Sequence, residues 1–228
     1  MRHGLLFASA LIAAAASAGP PLSLALQARQ PAPLTADLPP LLPRPEVVRP
    51  FLLGFHPLVA DLYWLRTIQY LGEQLQHRRP VLHLYPLVDF VTSLDPHFVD
   101  AFHLGALFLS IGGQYQQAIA IYERGIAHHP DRWELPHDLG RLYFLELKDD
   151  ARALQYWLVA DRLPGRPHYL PRFIARLYAK TGKLETALEL WQQMAQNSHS
   201  EWVQQRAKIE IQKLLAEKQR QRRTASPR

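Results

Sequence analysis

Residues 97–130 read HFVDAFHLGALFLSIGGQYQQAIAIYERGIAHHP, and this stretch decides the fold. Gly112-Gly113 divides it into two runs, 98–110 and 114–128, in which apolar residues recur every three or four positions, the period of a helix. Pro130 closes the pair, because proline lacks the donor that a continuing helix needs. Pro96, Pro130 and Pro164 stand 34 residues apart. A fixed period of that length marks one supersecondary unit stacked on copies of itself.

The pattern extends in both directions. Upstream, Leu58, Leu62, Leu65, Ile68, Leu71 and Leu75 form the stripe of an amphipathic helix that begins near Phe55. Pro80 and Pro86 break it, and 87–94 reads as a short second helix stopped by Asp95-Pro96. Downstream, 133–147 pairs with 151–163, and Asp149-Asp150 looks like a helix start favoured by the macrodipole. A fourth pair, 169–180 with 184–196, is separated by Gly182. The run 201–220 adds one more helix with no partner after it.

The units share an internal grammar. Leu71-Gly72, Leu104-Gly105, Leu139-Gly140 and Ile174-Ala175 place a small residue on the first helix. Ala118, Ala153 and Ala187 place one on the second, and Tyr122, Trp157 and Trp191 follow four residues later. Small residues let two helix backbones approach, and the aromatic fills the space toward the next unit. With the closing proline, this grammar resembles the tetratricopeptide repeat over roughly residues 62–198. The fourth unit has the family's spacing of 12 residues from Ala175 to Ala187; the second and third have 13, which predicts one extra residue in their turns. The first copy diverges, with Leu84 and Val88 at the small and aromatic positions, as terminal repeats that cap a stack often do. The resemblance implies an all-α, right-handed superhelical solenoid of about four helix pairs over 55–198, with a capping helix at 199–220.

In this family the first helices of the units line a concave face that holds another protein. The resemblance therefore implies a groove of Phe102, His103 and Ala106, then His137, Asp138, Arg141 and Phe144, then Arg172, Phe173, Arg176 and Lys180. Arg172, Arg176 and Lys180 are spaced four apart and share one helix face. Arginine suits bidentate recognition of a carboxylate, so an acidic peptide or a terminal carboxylate is the expected partner. The only asparagine, Asn197, lies outside the groove, and a strict carboxylate clamp does not carry over. The bland alternative is a solvated basic face.

Catalytic signals are missing. There is no Gly-x-Ser-x-Gly, no phosphate loop and no Gly-x-Gly-x-x-Gly, and the chain has no cysteine. Eleven histidines invite a metal site, but none forms a His-x-x-x-His pair beside a carboxylate. No metal or cofactor is expected, and the chain reads as a scaffold and not an enzyme. A metal-dependent hydrolase with a histidine-built site is the alternative.

The termini speak to location. Arg2 and His3 precede an uninterrupted run of apolar and small residues from Leu5 to Ala18, and Ala16-Ser17-Ala18 fits a cleavage site. Residues 1–18 therefore predict an export signal, or alternatively a retained membrane anchor, and the protein is expected in the periplasm or tethered to the outer side of the inner membrane. Ten of the 19 prolines fall between Pro20 and Pro57, so 19–54 reads as a proline-rich tether. From residue 206 onward, eight basic residues against two acidic ones carry the whole net charge of +6, and 221–228 reads as a disordered basic tail. Nucleic acid is not expected as a partner of an exported chain; a membrane-protein complex is. Tyr63, Trp64 and Tyr70 on the first long helix read as a cap over the first repeat, with a docking patch as the alternative.

Overall fold

A computed structural model describes residues 42–225. The export signal at 1–18, the tether over 19–41 and the last three residues of the tail lie outside it. Among the described residues there are ten α-helices and no strand: α1 Pro45–Val48, α2 His56–Gln76, α3 Leu84–Leu94, α4 Val99–Ile111, α5 Tyr115–His128, α6 Glu134–Leu145, α7 Asp150–Asp161, α8 Leu170–Lys180, α9 Leu184–Asn197 and α10 Glu201–Ala225. They pack as α2 with α3, α4 with α5, α6 with α7 and α8 with α9, each pair resting on the next, and α10 closes against α9. The fold is the expected all-α solenoid of four stacked helix pairs.

Backbone geometry repeats as the sequence does. One residue in the turn of each pair adopts the left-handed conformation: Arg78 (φ 53), Gly113 (φ 76), Lys148 (φ 55) and Gly182 (φ 82). Glycine takes this conformation freely, whereas Arg78 and Lys148 hold it against the clash of a Cβ with the carbonyl. A backbone N–H then reaches back five residues to an orphan carbonyl, from Arg79 to Gln74 at 2.8 Å, from Gln114 to Leu109 at 2.9 Å and from Lys183 to Tyr178 at 2.8 Å. In the third turn the bond spans one residue more, from Asp149 to Tyr143 at 2.9 Å. The extra residue of the third unit therefore sits in its turn, as expected; that of the second unit sits in α4 instead. Asp149 also accepts from the Arg152 amide at 2.9 Å and caps α7.

The core follows the small and aromatic positions. Ala118, Ala153, Ala187, Tyr122, Trp157 and Trp191 are all buried. A methyl group at Gly140 would come within 2.4 Å of Trp157, and one at Gly105 within 2.5 Å of Val88, so both positions need glycine for close approach. Gly72 is different: it is exposed, and nothing would lie within 4 Å of a Cβ there. The Leu71-Gly72 step is thus out of register. Gly72 stands six residues before the left-handed Arg78, whereas Gly105 and Gly140 stand eight before Gly113 and Lys148. At the far end, Ala207 and Leu214 of α10 join Trp191 in one buried cluster, which makes α10 a cap.

Two boundaries shift. Residues 42–54 are folded: Pro45 sits in the first turn of α1, where its missing N–H costs no bond, and a 3-10 turn follows at Arg49–Leu52. Leu42 and Leu52 pack on the buried cluster of Ala60, Phe90, Val91, Leu94 and Ala101. At the other end, α10 runs to Ala225, into the first five residues of the tail read as disordered. Gln, Glu, Lys and Arg are good helix formers and let the helix continue without burial.

Substituting Gly140→Ala tests the packing. Overfilling that contact should destabilise the protein by about 1–3 kcal/mol in denaturant unfolding. It should also shift the fluorescence of Trp157.

Candidate functional site

Connections between successive pairs lengthen along the stack, from Asp95–Phe98 to His129–Trp133 to Arg162–Tyr169. Beside the longest of them a cavity of about 420 Å³ opens between α6 and α8. Its lining comes from His137, Arg141, Phe144 and Leu145 of α6, Leu170, Arg172 and Phe173 of α8, and Tyr169 and Trp157. The aromatic rings touch in sequence: Phe144 to Trp157 at 5.3 Å, Trp157 to Phe173 at 5.6 Å and Phe173 to Tyr169 at 5.8 Å between centroids. Trp157 is held in place by its indole N–H, which donates to the His137 carbonyl at 3.0 Å. The site is an aromatic basin with two guanidinium groups, Arg141 and Arg172, among its walls.

One partly buried carboxylate organises the wall. Asp138 accepts from His103 Nε2 of α4 at 2.9 Å, from His137 Nδ1 at 2.8 Å and from Arg141 Nε at 3.4 Å. With Nδ1–H donated to Asp138, a neutral His137 has Nε2 free to accept, and Tyr169 donates its hydroxyl there at 3.0 Å. Burial and the Asp138 carboxylate push the Tyr169 phenol above its ordinary value, which keeps that proton in place. Burial alone would push Asp138 upward; the hydrogen bonds from His103 and His137 and the charge of Arg141 outweigh it and hold the carboxyl well below the usual range.

The sequence-predicted groove residues divide. His137, Arg141, Phe144, Arg172 and Phe173 line the cavity. His103 stands behind it as a support for Asp138. Phe102 is a correction: it is fully buried, packed under Gly125 and beside the rings of His128 and His129, and cannot face a partner. Arg176 and Lys180 do not line the cavity. Arg176 lies over the Phe173 ring at 6.0 Å, and Lys180 pairs with Asp150 at 2.5 Å. Arg172 also stacks over Trp202 of α10, 5.0 Å from the ring. Of the aromatics on α2, Tyr63 packs on Phe90 at 4.5 Å, Trp64 on Phe98 at 5.7 Å and Tyr70 on His83 at 6.3 Å. Tyr63 and Tyr70 thus pack on α3 and the residue before it, and Trp64 reaches the residue ahead of α4.

Sequence reasoning missed Tyr169, Leu145 and Leu170 and gave Trp157 only a packing role. Trp157 could have been found, since an aromatic that fills the space toward the next unit also reaches the groove where that unit stands away. Among the described residues no group of three or more His, Asp or Glu side chains is placed to hold a metal ion.

Because the Asp138 carboxyl is depressed in the folded state, its contribution is present at neutral pH and fades as pH falls below the ordinary carboxylate range, about 4. Substituting Asp138→Asn should cost about 2 kcal/mol at neutral pH, the scale of a hydrogen bond to a charged group. The gap to the parent protein should narrow when unfolding is followed into acid.

No curated protein matches the chain. Solved structures similar to it include two of low sequence identity. One, from a functional characterisation of Pseudomonas aeruginosa PilF, is 18% identical, covers 72% of this chain and 71% of its own, and superimposes with a TM-score of 0.47. The other, a MamA RS-1 ArsTM double mutant, is 13% identical, covers 70% of this chain and 96% of its own, and has a TM-score of 0.47. Residues 101–132 match the tetratricopeptide repeat family, and they span the stretch from α4 through Pro130 whose pattern recurs in the other helix pairs. Residues 101–132 thus carry a tetratricopeptide repeat.

Proposed function

We propose that this protein is an exported, non-enzymatic adaptor that holds an acidic or carboxylate-terminated segment of a protein partner in the basin between α6 and α8. The observation that carries the reading is the pairing of an aromatic-lined cavity with Arg141 and Arg172 in its wall. An apolar side chain entering the basin would bury its surface against Trp157, Phe144 and Phe173. A neighbouring carboxylate would reach a guanidinium, which presents paired donors in a rigid fork. Asp138 already orients Arg141, so less freedom is lost on binding. Assembly of an envelope, pilus, secretion or respiratory complex is the role that such an adaptor would serve outside the cytoplasm. No described helix is long and apolar enough to cross a membrane, so any tether would come from residues outside the description.

Co-purification from the native envelope identifies the partner, and binding is then measured with its isolated segment. Replacing Arg141 or Arg172 by Ala should raise the dissociation constant about tenfold or more, the equivalent of a lost charge-assisted bond of roughly 1.5–3 kcal/mol. Lys180→Ala, whose ammonium is engaged by Asp150, should leave affinity unchanged. Equal affinity in the Arg141→Ala, Arg172→Ala double variant would overturn the basin as the site.

Export is tested separately. Fractionation with N-terminal sequencing should recover the chain in the envelope, starting at Gly19 if the signal is cleaved and at Met1 if it is kept. Unprocessed protein confined to the cytosol would refute export.

A further inference from the structure

Helix α2 is inside out. The side turned to the repeats carries Ala60, Thr67, Leu71 and Gln74, all buried. The side turned away carries Leu58, Leu62, Leu65 and Ile68, which remain 55%, 58%, 58% and 40% exposed. The leucine stripe that marks the helix as amphipathic is thus largely its outer face; only Leu71 of that stripe is buried. The chain entering α2 continues the same surface: Phe51, Leu53 and Phe55 are exposed, and Leu53 is held in the left-handed conformation at φ 45, which a branched side chain resists. A terminal repeat needs a polar outer face to stay soluble, and a contiguous apolar surface of this kind marks an interaction site.

Charge decides between occupants. Exposed arginines stand at both ends of the stripe, Arg44 and Arg49 before it and Arg78 and Arg79 after it, with Arg66 on its flank; the exposed acids Glu46, Asp61 and Glu73 are fewer, and Asp61 falls among the leucines. Pairing with a second copy would bring arginines together in either orientation, with Glu46 and Glu73 offsetting only part of that charge: parallel helices match each end with itself, and antiparallel ones set Arg49 against Arg78 and Arg79. A uniformly anionic surface satisfies both ends at once, since each cation near such a membrane adds attraction. Leucine and phenylalanine on one face with arginine at the margins is the composition of a helix that lies in a membrane interface.

We propose that the outer face of α2, with Phe51, Leu53 and Phe55, docks onto an anionic lipid surface. The face is separate from the basin between α6 and α8, and the proposal stands or falls independently of what the basin binds. It would orient the solenoid with its first repeat at the bilayer and its later repeats, which carry the basin, reaching away.

The absence of cysteine from the chain allows one reporter at a time. The full-length protein carrying Leu62→Cys, labelled with an environment-sensitive fluorophore, is titrated with phosphatidylglycerol vesicles and with phosphatidylcholine vesicles. Gln192→Cys on exposed α9 serves as the control. The Leu62 label should shift to the blue and be quenched by spin-labelled lipid with phosphatidylglycerol, the shift should diminish as salt is raised, and the Gln192 label should not change. Protein that binds vesicles while the Leu62 label stays in water overturns the proposal, because the first residues or the basic end of α10 would then be responsible. A blue-shifted label without vesicles also overturns it. If that shift grows with protein concentration, a second copy covers the face; if it does not, residues 1–41 do.

Discussion

The contact between Trp157 and Gly140 sets the geometry of the functional end of this protein. The indole lies so close to α6 that a methyl group at Gly140 would sit inside it, and its N–H is tied to the His137 carbonyl at 3.0 Å. The approach of α7 to α6 in the third pair therefore runs through one side chain, and the same side chain forms part of the basin wall. A packing residue and a residue of the basin wall are here the same residue. This is economical in a repeat fold, because the aromatic that spans the gap to the next unit is presented to solvent wherever that gap widens. The longer link at Arg162–Tyr169 stands where α6 and α8 leave such an opening.

Asp138 acts on the other side of the same wall. It receives donors from α4 through His103 and from α6 through His137 and Arg141, while His137 carries the network on to Tyr169 at the start of α8. Three successive first helices are thereby joined by one carboxylate and one imidazole. A carboxylate so far removed from water is tolerable only because its acceptor positions are filled. His103 and His137 are both committed to this carboxylate, His103 at Oδ2 and His137 at Oδ1.

The fold was legible because it rests on local signals that repeat. Gly105, Gly140, Ala118, Ala153 and Ala187 mark close approaches that a sequence cannot disguise, since any larger residue would be excluded by contact. The register of the first unit was not legible, because Leu71-Gly72 copies the motif two residues away from where the turn at Arg78 requires it. The groove was only half legible. Helical periodicity placed Arg172, Arg176 and Lys180 on one face correctly, but a face has width: Arg172 turns into the basin, Arg176 rests on the Phe173 ring, and Lys180 reaches across to Asp150. Phe102 was misassigned for the same reason, since a step of one residue on a helix separates the buried side from the open one.

Helix α2 shows a deeper limit. Periodicity reveals that a helix has an apolar side and is silent about where the neighbour lies. The usual assumption, that the apolar side meets the core, fails here for the leucine stripe because other side chains fill the contact: Ala60 packs with Phe90, Val91 and Leu94, Val59, Tyr63 and Trp64 lie against that cluster, and Tyr70 and Leu71 reach the main core. The leucines are then surplus to folding. Side chains that contribute nothing to the fold and are disfavoured in water have their physical explanation in another phase or another molecule. The solenoid thus has two chemically distinct surfaces: an aliphatic one on the first repeat, and an aromatic and basic one between the third and fourth.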